Sequence, residues 1–284
     1  MPSILITGSN GQLGNEFRVL AGRYQQYNFI FTDVAELDIT RIDDVKNFLS
    51  ENPSDFIINC AAYTNVDKAE SDHELAWQIN VAGPKNLAEA ATSVNALFVH
   101  VSSDYVFDGK GSIPYTEKDQ VNPQGYYGIT KLEGEKAVQN SDARALIIRT
   151  SWLYSSFNNN FVKTMRKYGA ERGELRVVAD QQGTPTYTAD LAEAIMHIIN
   201  KFEGNCTEIY HYSNLGNTTW HGFATEIIKL SGIDCSVYPI TTDEYPLPAP
   251  RPAYSILNKS KIQKDFDLQI PDWKDSLARC IKLL

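Results

Sequence analysis

Short apolar runs alternate with helical patterns along the first half of the chain. Five such runs cover residues 4–7, 28–33, 56–60, 96–103 and 145–151. These runs are almost continuously apolar, which is typical of strands buried on both faces of a parallel sheet. Strands and helices in repeated alternation predict a doubly wound α/β fold.

The segments between the predicted strands carry apolar residues at helical spacing. Leu13, Phe17 and Leu20 are separated by four and three positions, so they share one face of a helix. A second helix is predicted to begin at Thr40. Asp43 stands three residues further on, as the acid of a capping box does, before an apolar face.

After about residue 152 the alternation loosens. Prolines and aromatic residues interrupt helical stretches near 160–172, 188–201 and 219–231. We expect residues 1–151 to form the sheet domain. Residues 152–284 are expected to form mainly a smaller C-terminal lobe over the carboxyl edge of the sheet, where open α/β folds bind ligands. The helix near 188–201 is apolar enough to return to the first domain.

Composition narrows the classes of protein that fit. The 284 residues, 43% hydrophobic and 21% charged, can bury a large core. The formal net charge of -9 argues against a protein that binds nucleic acid. No run approaches the roughly 18 to 20 apolar residues of a membrane span, and no export signal is recognisable. The four cysteines form no Cys-x-x-Cys pair, so we expect free thiols and a cytoplasmic location.

A glycine-rich loop, Gly8-Ser-Asn-Gly11-Gln-Leu-Gly14, lies between the first predicted strand and the first helix. Glycines there allow a tight turn and the close approach of a pyrophosphate, whose charge is favoured by free N–H groups at the helix start. Three glycines alone are often only a turn, but this position favours a nucleotide cofactor. The first domain is therefore predicted to be a dinucleotide-binding domain of the Rossmann type.

Acidic residues near the second strand bear on the choice of cofactor. Asp33 stands nineteen residues past Gly14, where an acid would accept hydrogen bonds from the adenosine ribose. A carboxylate there repels a 2′-phosphate and favours NADH, although a simple turn acid is the alternative. Asp38 is placed to reach the adenine edge but could equally be a turn residue before Thr40.

The segment Tyr127-Gly-Ile-Thr-Lys131 opens a helical pattern that runs to Val138. The spacing of four places a phenol and an ammonium one turn apart on the same face. A nearby cation stabilises phenolate and lowers the pKa of the phenol from about 10, which makes a usable proton donor and acceptor. Tyr126 lacks such a partner, because Thr130 stands four residues on.

Two hydroxyls and an acid end the fourth predicted strand, at Ser102, Ser103 and Asp104. A serine at this edge can hydrogen-bond a substrate carbonyl and hold it against the tyrosine, although capping of the strand end is the alternative. A glycine loop, a strand-end hydroxyl and Tyr-x-x-x-Lys in this order are far more specific than any one of them.

In these features the chain resembles the extended short-chain dehydrogenase/reductases, and within them the dTDP-4-dehydrorhamnose reductases. The resemblance covers nearly the whole chain. It rests on the stretches 11–14, 59–70, 103–107, 127–135, 149–154, 159–161, 180–186 and 251–257.

The resemblance implies reduction of the C4 ketone of a dTDP-sugar with NADPH or NADH. It gives Tyr127 the role of proton donor to the sugar oxygen, and Lys131 that of binding the nicotinamide ribose. The implied catalytic residues are Ser103, Tyr127 and Lys131. The implied cofactor-binding residues are Gly8, Asn10, Gly11, Gln12, Leu13, Gly14, Asp33, Asp38, Ile39, Ala61, Ala62, Tyr63, Thr64, Tyr127 and Lys131. The implied substrate contacts are Ser103, Asp104, Tyr127, Trp152 and Arg251.

Two of these substrate contacts have plainer alternatives. Arg251 could meet the nucleotide diphosphate as a fork-shaped donor, or it could be a solvated surface arginine. Trp152 could be a core residue.

Some members of the family dimerise through magnesium held by glutamates. Glu16 matches one of these, but the second acid, beside Asp190, does not align, so we predict no metal and leave a homodimer open.

Two other functions remain open. A sugar-nucleotide epimerase or dehydratase of the same superfamily would retain NAD and return the hydride. The dehydratases carry an acid pair after the strand-end hydroxyl, whereas here Asp104 is followed by Tyr105. The other function is that of a non-catalytic regulatory subunit, like the relative that accompanies methionine adenosyltransferase. The complete set of Ser103, Tyr127 and Lys131 favours catalysis.

Overall fold

The computed structural model describes residues 1–284. The strands are β1 (Ser3–Thr7), β2 (Asn28–Phe31), β3 (Phe56–Asn59), β4 (Leu97–Ser103), β5 (Ala145–Thr150), β6 (Leu153–Tyr154), β7 (Glu174–Val178), β8 (Gln182–Gly183), β9 (Thr186–Tyr187), β10 (Glu208–His211), β11 (Thr218–Thr219) and β12 (Ser236–Ile240). The helices are α1 (Gln12–Ala21), α2 (Ile42–Glu51), α3 (Val66–Ala69), α4 (His73–Trp77), α5 (Gly83–Ser93), α6 (Tyr126–Gln139), α7 (Phe161–Arg172), α8 (Thr188–Ile199), α9 (Trp220–Ser231), α10 (Ser260–Phe266) and α11 (Trp273–Ile281). A π-helical segment, Gln78–Ala82, joins α4 to α5, and 3-10 turns cover Asp104–Val106 and Thr242–Glu244.

Six strands form one parallel sheet in the order β10-β5-β4-β3-β1-β2. The predicted doubly wound α/β class is thereby confirmed. From β1 the chain passes to β2 on one side, whereas β3 lies on the other side of β1. The loops that follow β1 and β3 diverge at this switch point and leave a crevice at the carboxyl ends of the strands.

The two edge strands differ from the expectation of strands buried on both faces. β2 has one neighbour and none of its four residues is fully buried. β10 pairs with β5 as a sixth parallel strand, and it comes from the C-terminal half of the chain. The four residues of β10 include the polar Glu208 and His211, so no apolar run in the sequence predicted this strand.

Helices cover both faces of the sheet. On one face Phe17 of α1 and Ile195 of α8 pack into a single apolar cluster with the strand residues. On the other face Leu49 of α2 and Leu87 of α5 do the same. Helix α8 therefore lies against α1, although it comes after residue 151. None of the helices is both long and apolar enough to cross a membrane.

The predicted start of the second helix is wrong by two residues. Helix α2 begins at Ile42 with Arg41 as its N-cap, and no side chain caps it. Thr40 is instead bonded through its N–H and its hydroxyl to Asp38 Oδ1, at 3.0 and 2.7 Å. The short aspartate side chain makes its own turn with the backbone two residues on, and this turn replaces the capping box.

The C-terminal lobe has its own apolar cluster. Tyr154, Phe223 and Trp273 are its large buried members. Helices α7 and α9 pack together against the parallel pair β7 and β12. Residues of α7 and β7 also line a cavity.

Candidate active site

The glycine loop is held against the loop that follows β3. Gly8 has a φ of +62°, and a Cβ on it would lie 2.5 Å from the backbone nitrogen of Ala61. A Cβ on Gly14 would lie 2.4 Å from the Cα of Ser9. Any larger residue at either position would separate the loop from its neighbours. These two glycines therefore fix the shape of the crevice at the switch point.

The start of α1 leaves donors free beside this loop. Gly11 is the N-cap, no side chain caps the helix, and no acid stands in its first turn. A Cβ on Gly11 would meet only the carbonyl oxygen of Gly8, at 3.1 Å. Gln12 Oε1 is buried without a hydrogen-bond partner. Free N–H groups, the positive end of the helix dipole and an open backbone fit a pyrophosphate, so these residues fit a dinucleotide.

Asp33 closes the far end of the loop. Its Oδ2 accepts a hydrogen bond from the Asn10 N–H and its Oδ1 one from the Val34 N–H, both at 2.9 Å. Each carboxylate oxygen has a further lone pair, so the group can still accept from ribose hydroxyls. The Oδ1 of Asp38 accepts hydrogen bonds from both the N–H and the hydroxyl of Thr40, so Asp38 acts as the turn residue before Thr40.

The predicted cofactor residues after β3 form the opposite wall. Ala61 and Ala62 are half-buried, Tyr63 is buried and Thr64 is exposed. Asn80, from the π-helical segment, accepts from the Tyr63 N–H at 2.9 Å and donates to the Tyr63 carbonyl at 3.1 Å. The same amide donates to Thr130 Oγ1 on α6 at 3.0 Å. Asn80 therefore ties this wall to the helix that carries Tyr127, and no sequence motif indicated it.

Ile39 and Leu13 support the crevice from behind. Both are buried, Leu13 at 5% and Ile39 at 6% exposure. Gly83 of α5 is needed for the approach of Ile39, since a Cβ there would lie 2.6 Å from Ile39 Cδ1. Their contribution is therefore to the shape of the pocket.

Ser103 and Asp104 form a hydrogen-bonded pair where β4 ends. Ser103 Oγ donates to Asp104 Oδ1 at 2.9 Å and accepts from the Tyr105 N–H at 3.2 Å. The second contact caps the 3-10 turn, so the capping alternative is also realised. Asp104 Oδ2 and Ser102 Oγ are buried without hydrogen-bond partners. Buried oxygens without a protein partner suit a ligand with hydroxyl groups.

The electrostatic state of Asp104 follows from its burial. Desolvation raises the pKa of its carboxyl group to about 6, although the hydroxyls of Ser103 and Ser255 oppose the shift. The carboxylate is therefore charged at neutral pH but is easily protonated in mild acid. In the charged form it only accepts hydrogen bonds, which keeps the Ser103 hydroxyl proton directed toward it.

Tyr127 lies on α6 beside this pair. Its ring meets the ring of Tyr105 edge to face, with centroids 5.4 Å apart. Burial raises the pKa of the phenol to about 12, Ser103 opposes the rise and the Asp104 charge adds to it. The predicted lowering of this pKa by Lys131 is therefore wrong, because desolvation disfavours phenolate more than the surroundings stabilise it. The phenol is protonated at neutral pH.

Lys131 lies one turn further along α6 and is 2% exposed. Its Nζ donates to the carbonyl of Val101 on β4 at 2.8 Å. Burial lowers the pKa of the ammonium to about 8, and the charge of Glu135 opposes this. Glu135 in turn receives two hydrogen bonds from the buried Arg149, at 2.9 and 2.7 Å. The ion pair of Glu135 with Arg149 thus lies behind the predicted catalytic lysine, and no sequence motif indicated it.

Trp152 is held in a strained backbone conformation. Its φ is +47°, a left-handed value that costs about 1 to 3 kcal/mol in a residue other than glycine. Its ring stacks on that of Trp220 with centroids 3.6 Å apart and an interplanar angle of 11°. A Cβ on Gly183 would lie 2.5 Å from Trp152 Cε2. The ring is half-buried, so it is neither plain core nor free surface.

A cavity of about 1280 Å³ lies next to Trp220. Its walls come from α7, from β7 and from the loop of residues 242–251, and Trp220 and Tyr105 also line it. Arg251 is the one predicted site residue that lines it. The lining residues Tyr168, Arg176, Gln181 and Trp220 carried no motif, because they converge from separate elements.

Arg251 has a partner in the first domain. Its Nη2 donates to Asp67 Oδ2 at 2.7 Å, and its Nη1 donates to the carbonyl of Ala249 at 2.9 Å. The structure therefore places this side chain at the cavity wall but engages it with protein groups. It is not a solvated surface arginine.

The acids considered for a metal have protein partners. Glu16 is buried, accepts from Thr188 Oγ1 at 3.2 Å, and has its pKa raised to about 7 by desolvation. Asp190 forms an ion pair with Arg279. No group of three or more His, Cys, Asp or Glu side chains is arranged to hold a metal ion. That the protein needs no metal stays a prediction.

Comparisons with known proteins agree with this geometry. The family model described as RmlD substrate binding domain matches residues 1–284. A dTDP-4-dehydrorhamnose reductase of Aggregatibacter actinomycetemcomitans is 40% identical over 287 residues, which cover 98% of this chain and 97% of that protein.

Two solved structures are similar over their whole length. A dTDP-4-dehydrorhamnose reductase of Clostridium acetobutylicum has a TM-score of 0.94 and 46% identity, covering 99% of each chain. That of Bacillus anthracis, in complex with NADP, has a TM-score of 0.95 and 39% identity, covering 100% of each chain. With a family model that spans every residue, and relatives near 40% identity at full coverage, this chain belongs to the RmlD substrate binding domain family.

Proposed function

We propose that this chain reduces the C4 ketone of dTDP-4-dehydro-L-rhamnose to dTDP-L-rhamnose with NADPH or NADH. The observation that carries the proposal is the cluster at the carboxyl end of β4. There Ser103, Asp104 and Tyr127 lie together, and Lys131 contacts β4 through the Val101 carbonyl. The glycine loop that fits a dinucleotide follows β1, two strands away in the same sheet. The reductase relatives, one of them in complex with NADP, support the same reaction.

When bound, the reduced nicotinamide supplies a hydride to the ketone carbon. Tyr127 donates its proton to the ketone oxygen as charge develops there, which its raised pKa permits because the phenol is protonated at neutral pH. To share that oxygen as a second donor, the Ser103 hydroxyl turns to it from Asp104 Oδ1, which it contacts at 2.9 Å without substrate. The ammonium of Lys131 donates to the Val101 carbonyl, which fixes its position. In this position it can bind the nicotinamide ribose.

The cavity would receive the rest of the substrate. Asp104 Oδ2 has no partner and would accept from a sugar hydroxyl. Trp152 stacks on Trp220, which lines the cavity, and its ring would contact the sugar. We assign the nucleotide part of the substrate to the cavity. Residues 1–151, α8 and β10 form the dinucleotide-binding domain in this proposal, and the rest of 152–284 is mainly the substrate lobe.

The test is the Tyr127→Phe variant, which removes one oxygen and keeps the ring. We expect turnover to fall at least about a thousandfold, since the general acid is lost, while binding of the dinucleotide changes little. Turnover is measured as loss of reduced-nicotinamide absorbance with enzymatically prepared ketosugar. Full activity of this variant would overturn the mechanism. Tyr126→Phe is the matched control, because Tyr126 stacks on His73 outside the cluster and should leave the rate unchanged.

The same assay separates the alternatives. A reductase consumes reduced cofactor in equal amount to product, whereas an epimerase or dehydratase returns the hydride and consumes none. A regulatory subunit would bind the cofactor and reduce no dTDP-ketosugar.

Location and assembly follow as further proposals. All four cysteines are free thiols, as is typical of the reducing cytoplasm. The net charge of -9 argues against a protein that binds nucleic acid. The oligomeric state is left open between monomer and homodimer, and the mass of the purified protein in sedimentation distinguishes the two.

A further inference from the structure

We infer that Arg18, on the outer face of α1, forms a binding site for the 2′-phosphate of NADP and gives this chain its ability to use NADPH beside Asp33. The inference rests on the proposed function only in taking a nicotinamide dinucleotide as the cofactor. It adds a binding residue that neither the sequence motifs nor the resemblance indicated.

Arg18 is fixed at the adenosine end of the glycine loop. Its Nη2 donates to Ser9 Oγ at 2.7 Å and lies 3.4 Å from Asn10 Oδ1, and its Nε lies 3.4 Å from the Ser9 carbonyl. Ser9 is fully buried, so the contact that orients the guanidinium is itself rigid. The guanidinium carbon lies 4.6 Å from the centre of the Phe31 ring, which supports it from below.

These contacts place Arg18 beside Asp33. Asn10 joins the two, because its N–H donates to Asp33 while its side-chain oxygen accepts from Arg18. Phe31 ends β2, two residues before Asp33. An acid at the end of the second strand marks the adenosine ribose, and an arginine close by accommodates a phosphate on its 2′-oxygen. The guanidinium therefore lies where a 2′-phosphate would extend beyond the ribose.

The charge of Arg18 is available to a ligand. All three hydrogen bonds of its guanidinium go to uncharged groups of the loop, and Nη1 takes part in none of them. The side chain is exposed on one side. By contrast, Arg23 just beyond the end of the same helix is already paired with Glu193. An oriented cation with unused donors and no carboxylate partner suits a phosphate dianion.

Arg18 also resolves an electrostatic conflict. The Asp33 carboxylate by itself repels a 2′-phosphate and favours NADH. In the structure both Asp33 oxygens accept backbone N–H groups, and a cation stands on the other side of Asn10. The carboxylate can therefore still serve the ribose of NADH, while Arg18 compensates its charge when the phosphate is present.

The experiment measures binding alone, by calorimetric titration of NADP and NAD into the full chain and its Arg18→Gln variant. We expect the variant to bind NADP about tenfold more weakly, the loss of one charge-assisted contact at an exposed site, and NAD within about twofold of the unmodified chain. Adenosine 2′,5′-bisphosphate and AMP serve as fragments of NADP and NAD. The variant should bind the bisphosphate more weakly than the unmodified chain does and should bind AMP about equally well. Raising the salt concentration should weaken NADP binding more in the unmodified chain than in the variant.

Arg23→Gln is the matched control and should leave both constants unchanged. Arg18→Lys keeps the charge without the fork and should give an intermediate loss for NADP only. The inference is overturned if Arg18→Gln leaves NADP binding intact, or if NADP and NAD weaken equally in both Arg18 variants. These titrations contain no sugar substrate. If Arg18→Gln weakens NADP binding and spares NAD binding but the reductase assay fails, the result counts against the proposed function and not against this site.

Discussion

The proposed proton transfer depends on a few groups whose pKa values are set by burial. Tyr127 is kept protonated by desolvation, which suits a donor to a ketone oxygen. Burial also raises the pKa of Asp104 and lowers that of Lys131, both toward neutral pH, because it disfavours the charged form of each group. The window between their pKa values, about 6 and about 8, is where both the carboxylate and the ammonium are charged.

These shifts predict a bell-shaped pH profile for kcat/KM measured with limiting cofactor, which reports groups of the free enzyme. Activity should fall as pH drops through about 6, because protonated Asp104 no longer serves as a charged acceptor for Ser103. It should fall again as pH rises through about 8, because Lys131 loses its charge.

Asp104→Asn tests the acid side of this profile. The amide oxygen can still accept from Ser103, but the group does not titrate. We expect the acidic fall to disappear while the alkaline fall stays near pH 8. Persistence of the acidic fall in this variant would assign it to another group.

At the scale of elements, α6 approaches its neighbours so closely that only glycine fits at two positions. A Cβ on Gly128 would lie 2.3 Å from the Tyr105 carbonyl oxygen, and one on Gly134 would lie 2.1 Å from the Asn80 carbonyl oxygen. Both obstacles are backbone atoms, which cannot turn aside as a side chain can. The position of Tyr127 and Lys131 relative to β4 therefore depends on these two glycines.

Gly134→Ala should destabilise the fold by about 1 to 3 kcal/mol, the usual cost of overpacking, and should lower activity by displacing α6. Thermal unfolding and turnover measure the two effects. Gly22→Ala is the control, since Gly22 has a helical φ of -63° and its nearest obstacle lies 3.8 Å away. That change should leave stability unaltered or raise it by about 0.4 to 1 kcal/mol. Equal stability of both variants would contradict the close approach.

At the scale of the whole molecule, the ion pair of Asp67 with Arg251 joins the first domain to the loop that lines the cavity. The pair lies between α3 and residues 242–251, and Asp67 also accepts from the Ala249 N–H at 3.2 Å. Its side chains are partly buried, at 33% exposure for Asp67 and 16% for Arg251. It is placed to hold the cavity wall against the active site.

A double-mutant cycle with Asp67→Ala and Arg251→Ala tests this connection. We expect a coupling of about 1 kcal/mol in the free energy of unfolding, because the pair is partly screened by water. Asp67→Ala should raise the KM for the nucleotide sugar more than it lowers kcat, since it loosens the wall and leaves the cluster at β4 in place. Additive effects of the two changes would show that the pair is not coupled.

The sequence by itself determined those features that are local in the chain. Apolar runs located five of the six sheet strands, and the spacing of glycines located the loop at the start of α1, because each depends on a few consecutive residues. The four-residue spacing of Tyr127 and Lys131 placed both on one face of α6 for the same reason.

Only the tertiary structure decided what depends on distant segments. β10 became a sheet strand through its pairing with β5 and not through its own pattern. Burial by surrounding elements raised the pKa of Tyr127 where the adjacent lysine alone predicted a fall. Arg251 pairs with Asp67, which lies 184 positions away in the sequence. Arg18 contacts Ser9, Asn10 and Phe31 around the glycine loop. Such contacts follow from how the sheet brings its loops to one edge, which no local pattern encodes.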